Sequence, residues 1–321
     1  MGLVSIEDIQ LAASRVAATC LRTPMLPLAA DTTRSGRSPL WIKAESLQPT
    51  GAFKLRGATN AIALLSPEQR AAGVVTHSSG NHAQAVAFAA AAARVRATVV
   101  MPQGSPQLKI DRTRGWGAEV VLVHVDDRAE RCQEIADRTG AEVIPPYDDP
   151  RVIAGQGTVG LEILEQVPDV DVVLVPVSGG GLLSGVATAI KYRHPRTKVI
   201  GVEPELAGDL AEGFALGERR VWPTDKTGRT MADGLRTPSV GQLNWAHIRA
   251  YVDDVVTVSE KAIVSAMREL ATRSRLVVEP SGAVATAAYL EHGYRIPDGV
   301  TVAIASGGNV DLAAYAAALA E

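Results

Sequence analysis

Short β-branched runs alternate with longer alanine-rich segments of helical spacing along most of the chain, and no other feature limits the fold as much. Strands are expected at residues 40–44, 73–76, 97–101, 119–123, 172–177, 198–202, 255–258 and 301–305. Helices are expected at 55–65, 81–94, 107–116, 128–138, 153–166, 182–193, 261–273 and 281–290, with Ser66-Pro67-Glu68-Gln69 as a further helix start. Several of these strands are almost wholly apolar, as parallel strands covered by helices on both faces must be. The pattern implies an α/β fold with open, mostly parallel sheets.

Composition narrows the class. The 321 residues are 46% hydrophobic and 21% charged, so a large core can form and disorder is not expected. Length suits two domains. A net charge of −3 lacks the basic face of a general nucleic-acid binder. Cys20 and Cys132 cannot build a disulfide framework, which points to a reducing, cytoplasmic setting. Glu7 and Asp8 stand where a signal peptide would be basic, and no apolar stretch reaches the ~18 residues of a membrane span. Aromatic residues are only 4%, so the core must be built from Ala, Val, Leu and Ile at close range. Pro145, Pro146 and Pro150 cluster at a plausible domain edge. Residues 73–146 then read as a small inserted domain, with 1–72 and 147–321 forming the larger one. Residues 219–238 read as a long loop.

Three glycine-rich turns follow strand segments: Ser78-Ser79-Gly80-Asn81-His82, Ser178-Gly179-Gly180-Gly181-Leu182 and Ser306-Gly307-Gly308-Asn309. Glycines between a strand and a helix expose backbone N–H groups that bind anions. The turn at 178–181 is the best phosphate cradle, although it matches neither the dinucleotide fingerprint nor a Walker loop. Taken singly, each is equally readable as a tight strand-to-helix turn. Lys54 stands among small residues in Thr50-Gly51-Ala52-Phe53-Lys54. By itself it reads as a solvated charge or as an amine held for Schiff-base chemistry. A lysine of this kind with a separate phosphate nest suggests pyridoxal phosphate, its aldehyde on Lys54 and its phosphate on the glycine turn.

The motifs S-L-Q-P-T-G-A-F-K-L-R-G-A (46–58), S-S-G-N-H-A-Q-A (78–85), I-A-G-Q-G-T (153–158), the turn at 178–182 and the segments 201–204, 232–234 and 306–312 occur in order over most of the chain. Together they resemble the fold-type II pyridoxal-phosphate enzymes, in the threonine dehydratase and serine racemase group. That resemblance implies two tryptophan synthase β-like α/β domains with the cofactor in the cleft between them. It implies Lys54 as the amine that carries the cofactor, Phe53 beside the ring and Asn81 at the phenolic oxygen. Ser178, Gly179, Gly180, Gly181 and Leu182 take the phosphate, and Ser306 faces the ring nitrogen. Ser78, Ser79, Asn81 and His82 shape the loop for the substrate carboxylate. Glu203, the Ala207 carbonyl and Asp209 hold a divalent cation such as Mg²⁺, although their spacing alone reads equally as an acidic turn. Glu279-Pro280-Ser281-Gly282 also reads closer to the racemase-like branch.

An uncharged Ser306 at the ring nitrogen favours elimination of a β-hydroxyl over transamination. The expected activity is a threonine/serine dehydratase acting on a small β-hydroxy amino acid as a homodimer, without nucleic-acid or membrane partners. Ser79 leaves a serine racemase open, since racemisation needs a second acid/base on the opposite face. A 3-hydroxyaspartate ammonia-lyase is the other enzymatic alternative, and a cofactor-free anion-binding protein the non-enzymatic one. Tyr147 departs from the polar residue racemases carry there. No C-terminal regulatory domain is expected. The histidines other than His82 read as structural or surface residues, and both cysteines as buried bystanders.

Overall fold

The computed structural model describes residues 2–28, 40–293 and 295–320. Helix α1 (Ile6–Val16) is followed by strands β1 (Met25–Leu28) and β2 (Leu40–Lys43), then helices α2 (Lys54–Ala63) and α3 (Pro67–Ala72). Next come β3 (Val74–His77), α4 (Asn81–Ala92), β4 (Ala97–Pro102), α5 (Gln107–Gly115), β5 (Glu119–Val123), α6 (Arg128–Thr139) and β6 (Glu142–Val143). The chain continues through α7 (Pro150–Gln166), β7 (Val172–Pro176), α8 (Gly181–Arg193), β8 (Lys198–Pro204), α9 (Asp209–Leu216), α10 (Thr224–Thr227) and α11 (Gln242–Tyr251). It ends with β9 (Asp254–Val258), α12 (Glu260–Arg273), α13 (Pro280–Glu291), β10 (Thr301–Ile304) and α14 (Leu312–Ala320).

Two sheets result. One has six strands in the order β1-β2-β10-β7-β8-β9, parallel except for the β1–β2 pair. The other has four parallel strands, β5-β4-β3-β6, all drawn from residues 74–143. Every residue of β7 and β10 is buried, which accounts for their unbroken apolar sequences. All eight expected strands and all eight expected helices form, within a few residues of the expected bounds. Ser66 caps α3 through a capping box with Gln69, and Pro67 opens the helix.

Some elements were not expected. Strand β1 contains Pro27, which hides it from a strand pattern but is tolerated at a sheet edge. Helix α7 starts at Pro150 rather than 153, because Asp149 caps it and proline fits the first helical position. Helices α1, α9, α11 and α14 lie outside the expected set, and the 219–238 loop carries one turn of helix, α10.

The shortage of aromatic residues is met by close helix contact. A methyl group built on Gly155 would lie 2.6 Å from the Arg56 carbonyl oxygen, and one on Gly185 would lie 2.4 Å from that of Ile153. Helices α2, α7 and α8 therefore touch backbone to backbone. Gly185→Ala should lower stability by about 1–3 kcal/mol in urea unfolding, because neighbouring backbone cannot yield. Gly115→Ala, where the new methyl meets open space, should leave it unchanged or slightly raised.

Candidate active site

Lys54 opens α2 after a turn in which Gly51 takes φ +72°. The turn is tied to the end of β10: the Phe53 amide donates to the Ser306 carbonyl at 3.0 Å, the Gly308 amide donates to the Gly51 carbonyl at 2.8 Å, and Ala52 bridges to Gly307. Lys54 and Ser306 are thereby held close. Behind them Arg56 is fully buried and forks onto two carboxylates. Its Nε and Nη2 donate to Glu45 at 2.8 and 2.7 Å, and its Nη1 and Nη2 to Glu162 at 2.7 and 2.9 Å. The cluster fixes the first turn of α2.

The Lys54 ammonium donates to the Pro146 carbonyl at 2.7 Å and lies 5.1 Å from the Phe53 ring centre. Burial lowers its pKa to about 8, so roughly one molecule in ten carries the neutral amine at pH 7. The residue after Pro146, Tyr147, lies against the glycine turn. A Cβ on Gly179 would sit 2.2 Å from its ring, and one on Gly181 would sit 3.2 Å from its backbone. Gly180 has φ +93° and caps α8 without any side-chain hydrogen bond. The Ser178 hydroxyl donates to Thr237 Oγ1 at 2.7 Å.

The loop after β3 leads into α4, whose N-terminus at Gly80 also lacks a side-chain cap. The Gly80 amide donates to the Ser78 hydroxyl at 3.2 Å, and Ser79 lies between them, half-buried. Asn81 is tied to the segments before α13 and after β10. Its Nδ2 donates to Glu279 at 2.6 Å, and its Oδ1 accepts from Asn309 at 2.9 Å. Burial, then Asp233, raises Glu279 to about 7. The buried His82 ring pairs with the Ile144 carbonyl at 2.9 Å, leaving Nδ1 without a partner. Burial, with nearby Lys54, lowers its pKa to about 3.

The acidic turn begins at Glu203, near the end of β8, and runs to Asp209 at the start of α9. Glu203 accepts from the Leu210 and Ala211 amides at 3.2 and 2.8 Å. Burial and the neighbouring Asp209 push Glu203 well up, and burial raises Asp209 to about 7. One Asp209 oxygen is buried without a partner. Two adjacent buried carboxylates with an orphaned oxygen suit a hard cation better than an empty acidic turn. Among the described residues no set of three or more His, Cys, Asp or Glu side chains could hold a metal ion, so a cation here would need further oxygen ligands beyond Glu203 and Asp209.

Residues 16–307 match the family of pyridoxal-phosphate dependent enzymes. The chain belongs to that family. It is 43% identical to serine racemase of Arabidopsis thaliana over 96% of this chain and 93% of the relative. It is 42% identical to L-threo-3-hydroxyaspartate ammonia-lyase of Saccharomyces cerevisiae over 96% and 94%. The crystal structure of T.th. threonine deaminase superposes with a TM-score of 0.90, at 44% identity, over 96% of this chain and 99% of that one. The fold-type II assignment and the threonine dehydratase and serine racemase group stand on these matches, and the cofactor-free anion binder is set aside.

The residues fit the family's cofactor. Added Cβ atoms at Gly179, Gly180 and Gly181 would meet neighbours at 2.2, 2.9 and 3.2 Å, and this close turn at the uncapped start of α8 would suit a phosphate through its free N–H groups. Lys54 and this turn contact neighbouring residues, Lys54 the Pro146 carbonyl and the turn Tyr147. Sequence reasoning had not foreseen Glu279 and Asn309 as the partners of Asn81, nor the placement of Tyr147 on the glycine turn. Only the motif around Glu279 hinted at the first.

His82 is neutral when folded but takes a proton in the unfolded chain below its ordinary value of 6.5. Its contribution is therefore whole above pH 6.5 and lost as pH falls towards 3. His82→Gln, which can still donate to Ile144, should flatten the loss of stability near pH 5 by up to about 1.4 kcal/mol per pH unit in urea titrations.

Proposed function

We propose that this family member is a threonine/serine dehydratase that converts a small β-hydroxy amino acid to a 2-oxo acid and ammonia. The supporting observation is that the Lys54 amine and the glycine turn meet at consecutive residues, Pro146 and Tyr147, with a hydroxyl, Ser306, at the end of β10. The cofactor supplies an electron sink that acidifies the substrate's α-C–H bond. Lys54 holds the cofactor, with Phe53 beside the ring and Asn81 at the phenolic oxygen. Ser178, Gly179, Gly180, Gly181 and Leu182 bind the phosphate. Once freed, the Lys54 amine takes the α-proton, which its lowered pKa permits near neutral pH. The start of α4, with Ser78, Ser79, Asn81 and His82, holds the substrate carboxylate. The β-hydroxyl leaves with a proton as water, and the released enamine takes up water and loses ammonia.

Ser79 supports a second reading, racemisation, which needs a second acid/base on the opposite face, a role its half-buried hydroxyl in this loop permits without requiring. The same proposal divides the chain into a small unit, 73–146, and a larger one, 1–72 with 147–321. It extends to a cytoplasmic homodimer.

Lys54→Ala should lose the visible absorption band of the bound cofactor and at least about 100-fold of turnover. Incubating the wild type with L-threonine, L-serine, D-serine and the 3-hydroxyaspartates should yield 2-oxo acid. Inversion without 2-oxo acid would make the enzyme a racemase instead.

Glu203, the Ala207 carbonyl and Asp209 are proposed to bind Mg²⁺ or a similar cation. Exhaustive chelation should lower the melting temperature, and added Mg²⁺ should restore it in a concentration-dependent way. A melting temperature indifferent to both treatments would remove the metal from the proposal.

A further inference from the structure

Helix α11 has no cap of its own, since its N-cap residue is Gly241. The missing acceptor comes from nearly a hundred residues away. Asp148 Oδ2 accepts from the Gln242 amide at 3.0 Å, and Oδ1 accepts from the Leu243 amide at 2.9 Å and from the Asn244 amide and Nδ2, each at 3.4 Å. The carboxylate sits so close that a Cβ on Gly241 would lie 2.3 Å from it. The capped end of α11 in turn braces the glycine turn. The Gly241 amide donates to the Gly179 carbonyl at 3.0 Å, and the Asn244 Cβ would lie 2.9 Å from a Cβ on Gly180. On its other side the turn is covered by Tyr147, the residue that precedes Asp148.

We infer that Asp148 is a positioning residue for the phosphate cradle. It docks α11 onto the chain segment that also carries Tyr147, and so clamps Ser178–Gly181 from both sides. This inference rests on the reading of that turn as the phosphate site. A residue that merely stabilised α11 would, when removed, weaken every ligand or none. A residue that shapes the cradle acts through the phosphate alone.

The test compares binding of pyridoxal 5'-phosphate with binding of pyridoxal, which lacks the phosphate, to protein freed of cofactor. Asp148→Ala should weaken binding of the phosphate ester about tenfold while leaving pyridoxal unchanged, the scale expected for a lost helix cap. Asp148→Asn, which keeps an acceptor oxygen, should recover most of the loss. Ser259→Ala removes the cap of α12, and it should lower the melting temperature without changing the ratio of the two affinities. Gly180→Ala distinguishes the role of Asp148 from that of the turn itself. A weakened phosphate preference in Gly180→Ala but not in Asp148→Ala overturns the role of Asp148. An unchanged preference in both variants overturns the cradle itself. Equal weakening of both ligands by Asp148→Ala reduces Asp148 to a structural cap.

Discussion

Backbone meets backbone where α2 crosses α7. Gly57 and Gly155 face each other so closely that a Cβ on Gly155 would lie 2.7 Å from the Gly57 Cα. That contact carries Arg56 fully into the interior, where an unpaired guanidinium would be untenable. Its donors are taken by Glu45, Glu162, Thr158 and the Leu21 carbonyl, and Lys43 shares Glu162 at 2.5 Å. Two cations thus face two anions, a balance that tolerates burial only while it is complete. Lys54 lies two residues before Arg56, so the position of its amine follows from this packing and this pairing.

Parallel sheets bring the carboxyl ends of their strands to one edge, where ligands bind. Here the turns after β3, β7 and β10 share that placement. The uncapped starts of α4 and α8 supply positive potential there without an ionisable group. Desolvation weakens the charged forms of the titratable groups there without abolishing the Lys54 ammonium. Lys54 is shifted towards its neutral form and His82 is held neutral beside it. Backbone dipoles and the Lys54 ammonium together favour an anion there, and the lowered pKa leaves part of the lysine available as a base and nucleophile near neutral pH.

The alternation of strand and helix was legible because buried parallel strands are almost wholly apolar and their connecting helices are alanine-rich. The edge strand β1 and the short β6 carry no such signature. Lys54 and the turn at 178–181 were legible because each motif is contiguous in the chain. The pairs Asn81–Glu279, Arg56–Glu162 and Asp148 with α11 were not, being separated by 198, 106 and 94–96 residues. No local periodicity records a partner that distant. The proline cluster at 145–150 was legible as a break but not as a hub. The Pro146 carbonyl on Lys54 and the neighbouring Tyr147 ring on Gly179 are visible only when the chain is folded.

The two sheets are joined by contacts of unequal kind. On one side α2 packs on α4 through Leu55, Ala58, Ala61 and Ile62 against Ala83, Val86 and Ala90, all buried. Elsewhere the joints are polar: Asn81 with Glu279 and Asn309, Lys109 with Asp233 at 2.8 Å, and Arg112 with Asn309 at 3.4 Å. Apolar burial at this scale is worth several kcal/mol and is lost only by separating the helices. The partly exposed Lys109–Asp233 and Arg112–Asn309 contacts are each worth about 1 kcal/mol or less, since water replaces them, whereas Glu279 is buried and its bond to Asn81 costs more to break. Because Lys54 opens α2 and the Ser78–Asn81 loop opens α4, the apolar packing of these two helices is the stronger tie between lysine and loop.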